Sequence, residues 1–140
     1  MQVAIPLNVG GNGIIMQIRA LNDTGSSIMT LFYHEALNLG WQPAIYPAEQ
    51  VVINSADGVT VQESIYVMAQ VCSYTGSLLT EWFLERVVLR HFTGTEIHLS
   101  GSEFRNQLYF GTAPKLSNLY VARNKTLLSR ILPNLRQLPP

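Results

Sequence analysis

The chain has 140 residues, 47% of them apolar and only 13% charged, with nine acids against nine bases. That length predicts one compact domain with a core of its own, and the charge balance excludes the global field of a dedicated polyanion binder. The charged fraction is about half the usual ~25%, so part of the uncharged surface is expected to be covered by a second chain.

Residues 2–9 alternate Val3, Ile5, Leu7 and Val9 with other residues, break at Gly10-Gly11-Asn12-Gly13, and resume as an apolar run over 14–21. This pattern predicts a β-hairpin. Branched and aromatic residues over 28–32 predict a short strand, and the Ala, Leu and Glu of 33–39 predict one or two helical turns closed by Gly40. The runs 51–54 and 59–71 flank Ser55-Ala56-Asp57-Gly58, and Asp-Gly between alternating runs is a strong hairpin signal. Over 81–89, Trp82, Leu84, Arg86 and Val88 alternate with Phe83, Glu85, Val87 and Leu89, which predicts a strand apolar on much of both faces and therefore central. Ser100-Gly101-Ser102 precedes a short helix expected over 103–108, and 119–122 reads as a last strand. The expected fold is all-β, a closed barrel-like sheet with one or two short helices.

The final third differs in composition. No acid follows Glu103, whereas Arg105, Lys115, Arg123, Lys125, Arg130 and Arg136 are six of the nine bases. A polyanion-binding tail and a solvated, partly ordered end both fit this run, and Pro133, Pro139 and Pro140 favour the second. The expected division is a domain over 1–112 followed by a C-terminal strand and basic, Pro-containing tail over 113–140.

Aspartate occurs only at positions 23 and 57. Asp23 stands in Ala20-Leu21-Asn22-Asp23-Thr24-Gly25-Ser26-Ser27, between two apolar strands. A polar turn leaving a strand delivers a carboxylate at a fixed point: Gly25 permits close backbone approach, and the Thr24 hydroxyl can lock the loop. A fixed carboxylate suits acid–base chemistry. The tripeptide alone also fits a plain Asx-type turn.

The order of elements around it is hairpin, strand, Asp-Thr-Gly-Ser-Ser, strand, short helix, hairpin with an Asp-Gly tip, central strand, glycine, short helix. Here the sequence resembles the retropepsin-like aspartic proteases of retroviruses and gypsy-type retroelements. The matching residues are 20–27 as the catalytic loop, 28–32 as the strand after it, 51–71 as the flap hairpin, and His98-Leu99-Ser100-Gly101 as the segment before the helix. The likeness covers roughly residues 3–110, and the stretch from Phe92-Thr93-Gly94-Thr95-Glu96 to Leu108-Tyr109-Phe110 is similar to fungal members. Ser100 departs from the family pattern by standing where a second apolar residue precedes the glycine, as does Ser102-Glu103 at the start of the helix.

The resemblance implies an acid-protease fold and aspartic endopeptidase activity with no cofactor and no metal. Asp23 would be catalytic, with Thr24, Gly25 and Ser26 forming the active-site loop. Ser55, Ala56, Asp57 and Gly58 would form the flap that binds substrate, and Gly101 would be a structural residue near the site. There is one Asp-Thr-Gly, so the second carboxylate must come from another copy across a two-fold axis, which implies a homodimer. The expected partner is an extended peptide or polyprotein, and neither nucleic acid nor membrane is expected. The alternative is a catalytically silent, domesticated module that dimerises or binds.

Other chemistries lack their residues. His34-Glu35 begins an H-E-x-x-H motif, but Asn38 stands where the second histidine would be. His34, His91 and His98 read as ordinary surface or half-buried histidines. Cys72, the only cysteine, reads as a small buried hydrophobe; it excludes an intramolecular disulfide and fits a reducing compartment. Tyr74, Trp82 and Phe83 are expected in core or interface. No apolar run approaches the ~18 residues of a membrane span, and residues 1–10, with no basic start and with Pro6 among them, do not read as a signal peptide. The expected location is intracellular and cytoplasmic.

Overall fold

The computed structural model of the chain describes residues 1–22, 25–55, 58–113 and 118–133. They form mostly strand, with three short helices. β1 (Gln2–Ala4) pairs antiparallel with β2 (Met16–Gln17), so the first expected hairpin is real but short. Pro6, which has no N–H to give a ladder, is followed by a 3-10 turn at Leu7–Val9, and the Gly11 amide returns to the Pro6 carbonyl. The chain leaves the hairpin again at β3 (Ala20–Leu21), which pairs in parallel with β8 (His98–Leu99) far along the sequence.

β4 (Met29–Phe32) runs into α1 (Tyr33–Asn38) as expected, and Gly40 closes the turn in the left-handed region at φ +86°. Its four residues, Met29, Thr30, Leu31 and Phe32, are all buried. β5 (Glu49–Ser55) and β6 (Gly58–Gln70) form the second hairpin, in register from Glu49 opposite Ser64 to Ser55 opposite Gly58. Its two-residue connection, Ala56-Asp57, lies outside the described residues. β7 (Phe83–Arg90) is central, as its two-faced apolar pattern requires: β6 flanks it antiparallel and β4 parallel.

The main sheet runs β2-β1-β6-β7-β4, with β5 added to β6. The expected closed barrel does not appear among the described residues. The ladder is open at β2 and at β4, because β3 leaves the first hairpin for β8 and does not extend that sheet. The core lies on one face, where Ile65, Val67 and Ala69 of β6 and Val87 and Leu89 of β7 meet Val3, Met29, Leu31 and the α1 side chains Ala36 and Leu39.

β6 is longer than its neighbours. Its second half, Ser64 to Ala69, pairs with β7, but the six residues from Gly58 to Glu63 have only β5 beside them. At ~3.4 Å per residue the β5–β6 ribbon therefore projects about 20 Å beyond the sheet. Val59 and Val61 continue the core-facing side of β6 into this ribbon, yet they and Val52 are 60–69% exposed.

After β8 the chain forms α2 (Ser102–Asn106), β9 (Tyr109–Thr112), β10 (Leu119–Ala122) and α3 (Lys125–Ile131). β9 and β10 make a separate antiparallel pair covered by α3, so the end expected to be a tail is partly folded. Asn124 caps α3 by accepting the Leu127 amide at 2.8 Å, and Leu128 and Leu132 lie 3.3 Å from the place a Gly111 side chain would occupy. The pairing of β9 with β10 also crosses the expected boundary at residue 112. One further expectation is corrected: Cys72 is only half-buried, paired with Leu78 in an isolated β-bridge. Of the two places expected for Tyr74 the core is excluded, since it is 99% exposed on the turn that joins Ser73 N–H to Ser77 O at 2.8 Å.

These placements separate stability from exposure along one strand. Ile65→Ala, at 2% exposure, is expected to lower unfolding free energy by about 2–4 kcal/mol. Val59→Ala on the same face of the same strand is expected to change it by less than about 0.5 kcal/mol, both read by urea denaturation.

Candidate active site

The parallel pairing of β3 with β8 brings the segment 98–105 alongside the Asp23 loop. Asp23 and Thr24 lie outside the described residues, but both flanks of the loop are held. On the entering side, the Ser100 N–H donates to Leu21 O at 2.9 Å and the Ser100 hydroxyl to Asn22 Oδ1 at 3.4 Å. On the leaving side, Arg105 Nη2 donates to Ser26 O at 2.6 Å, while Ser102 donates to Ser27 O from its amide at 3.1 Å and its hydroxyl at 2.9 Å. Ser26 turns its own hydroxyl onto Ile28 O at 2.6 Å. Thr30 completes the support from β4 by accepting the Leu99 amide at 2.7 Å. Ser100, a departure from the family pattern, is buried, and its polar atoms are met by Leu21 and by the equally polar Asn22.

Gly101 is required by close approach. A Cβ there would stand 2.0 Å from Glu85 Oε1 and 2.8 Å from the Met29 nitrogen. Its φ of −91° is one that any residue adopts, so space decides the residue type. The Glu85 carboxylate beneath it is 1% exposed and accepts the Phe104 amide at 2.7 Å. Burial pushes this carboxyl up to about 7, with Glu103 adding to the rise and the Phe104 amide and Arg105 opposing it.

The ribbon is braced at its base. Arg86 reaches from β7 to Glu49 Oε2 at 3.2 Å and to the Ser64 hydroxyl at 3.2 Å, and that hydroxyl donates to Glu49 O at 3.1 Å. The Tyr33 hydroxyl donates to Glu63, and burial first, then this carboxylate, pushes the phenol up to about 12. Ser55 and Gly58 face each other across the tip, whereas Ala56 and Asp57 lie outside the described residues.

Two depressions border these elements. One of about 670 Å³ lies between residues 17–20, which lead into the Asp23 loop, and residues 71–76. The other, about 290 Å³, is walled by Phe32, His34, Phe92 and Ile97. At its floor His98 Nε2 meets Glu35 Oε1 at 3.2 Å, while Glu35 Oε2 accepts the Phe32 amide and ties α1 to β8. Among the described residues no group of three or more His, Cys, Asp or Glu could hold a metal ion, and no helix is long and apolar enough to cross a membrane.

The structure brings Ser26 and Ser27 against Ser102 and Arg105, just past Gly101, and sequence reasoning missed Glu85, Ser102 and Arg105 as supports of this segment. Glu85 did leave a signal, since it stands with Phe83, Val87 and Leu89 on an apolar face, where a charge needs a partner. No family model matches the chain, and neither a curated protein nor a solved structure matches it.

The tightest of these contacts is directly testable. Gly101→Ala is expected to cost at least about 2 kcal/mol of unfolding free energy, because the added methyl meets backbone and a buried carboxylate, and urea unfolding of the purified variant reads it.

Proposed function

We propose that this chain is a retropepsin-like aspartic endopeptidase of the acid-protease fold, acting as a homodimer on extended peptides. The observation that carries this reading is the two-sided anchoring of the Asp-Thr-Gly loop, by Leu99-Ser100 before it and by Ser102 and Arg105 after it. Clamps from 75 or more positions away fix where the loop stands, which is what a catalytic carboxylate requires.

In this mechanism Asp23 from each of two subunits meets its copy. Two carboxylates ~3 Å apart cannot both ionise, so the pair shares one proton. The ionised member takes a proton from a water as that water attacks the scissile carbonyl carbon, and the protonated member gives its proton to the carbonyl oxygen. As the tetrahedral species collapses, the carboxyl that took the water's proton gives it to the leaving nitrogen and the other carboxylate takes a proton from a hydroxyl of the species. Amine and acid thus leave without a covalent enzyme intermediate, and the dyad again holds one proton. The titrations belong to the dyad as a unit. Thr24 would hydrogen-bond across the dimer below the dyad, and the Gly25 backbone would meet substrate.

Two further features fit. The projecting ribbon carries Val52, Val59 and Val61 on one exposed face, a surface suited to close over a peptide while its strands offer main-chain hydrogen bonds. The β9–β10 pair has no third strand among the described residues, and Tyr109, Leu119, Leu127 and Ile131 on it and α3 are 41–48% exposed, a surface suited to a second copy. A reducing, cytoplasmic setting goes with the lone Cys72.

The test is Asp23→Asn. The amide keeps the shape but cannot share the proton, so turnover of a mixed peptide library is expected to fall by at least a thousandfold with fold and dimer retained. Wild-type activity should also drop more steeply than linearly on dilution. Full activity in the variant, or in a strictly monomeric species, would overturn the reading; a wild-type dimer that cleaves nothing would leave a binding module.

A further inference from the structure

α2 begins at Gly101, which has no side chain to cap it, and no residue of the helix caps its first turn. The acceptor comes instead from β7. Glu85 points to the core side, opposite Val67 of β6 and two residues before Val87, and receives the Phe104 amide at 2.7 Å together with the Glu103 amide. An apolar residue would fill that place without the cost of burying a carboxylate. We infer that Glu85 is a positioning residue for the Asp23 loop: it holds the first turn of α2, α2 holds the carbonyls of Ser26 and Ser27 through Arg105 and Ser102, and a proton taken up at Glu85 is therefore felt at residues 25–27. The linkage itself needs no catalysis; only its consequence for turnover rests on Asp23 being catalytic.

Among the described residues the charged groups that act on Glu85 are both on α2, Glu103 against ionisation and Arg105 in favour of it. Its carboxyl, raised to about 7 by burial, changes state near neutrality. Ionised, it offers two acceptor oxygens to the Glu103 and Phe104 amides; protonated, it keeps only neutral acceptor capacity, and hydrogen bonds to charged groups are the stronger kind. Two opposite pH trends follow. Because the folded value lies above the ordinary one of 4.5, the stability Glu85 contributes is complete below about pH 4.5 and is lost as pH rises through about 7. Local protection of the amides that the carboxylate accepts rises over the same window.

The experiment is amide hydrogen exchange by NMR on the full chain between pH 5.5 and 8.5, corrected for intrinsic rates, with and without Glu85→Gln. In the wild type, protection at Glu103 and Phe104 is expected to rise about tenfold across the range, and protection at Ser102, whose amide donates to Ser27 O, to rise with it, while the thermal midpoint falls. In Glu85→Gln all three trends should flatten. If that variant does not fold, the wild-type series decides, together with the Glu85 carboxyl resonance. Protection at Ser102, Glu103 and Phe104 that is level with pH in the wild type, or an unchanged pH dependence in the variant, would overturn the inference. Peptide cleavage is assayed separately. Its absence in the wild type would overturn the protease reading and leave the exchange data, which need no substrate, to decide the linkage.

Discussion

Gly101 crosses the Glu85 carboxylate with no room for a methyl group between them, and the candidate site is built outward from that contact. The carboxylate belongs to the central strand, the glycine to the junction between β8 and α2. A charge in that position carries a desolvation cost of several kcal/mol, offset in part by the two backbone amides that point at it and by the field of Arg105. Since an unpaired buried charge is far more costly than a paired one, the contact pulls α2 into one place on β7. From there Ser102 and Arg105 reach the loop that follows Thr24, and β8 reaches the strand that precedes Asn22.

The same sheet supports a second, looser element. β6 spends half its length in the core and half in the ribbon, so one strand joins the most buried part of the protein to one of the most exposed. The polar knot of Glu49, Ser64 and Arg86, with Tyr33 on Glu63, marks where burial ends. Beyond it the ribbon has a single strand partner and few apolar contacts, the conditions under which local opening is least costly.

The C-terminal elements form a third region. A two-stranded sheet is marginal alone, and α3 supplies it with Leu128 packed beside Gly111. The bases of this region, Arg123, Lys125 and Arg130, lie exposed around that small unit, so its charge is a solvated face of folded structure. Tyr109, Leu119, Leu127 and Ile131 leave apolar surface exposed on this unit.

What could be read in advance followed from local rules. Alternation located the ribbon, in which Ser55 stands opposite Gly58; branched residues located β4; and the two-faced apolar pattern of 81–89 marked β7 as central. The Asp-Thr-Gly tripeptide and Gly101 were legible as unusual residue choices. By contrast β8 and β3 are two residues each, too short for any period to be visible, β9 is only four residues long and carries no clear alternation, and α3 was hidden by composition that read as a tail. The parallel pairing of residues 20–21 with 98–99 is invisible locally, because its partners are separated by 78 positions and neither carries a signal naming the other. Thus the sequence by itself determined the longer strands, the turns between them and the presence of a candidate carboxylate. Only the tertiary structure decided that Glu85, Ser102 and Arg105 support that carboxylate's loop, since which buried charge meets which amide is settled when the sheet and α2 pack together.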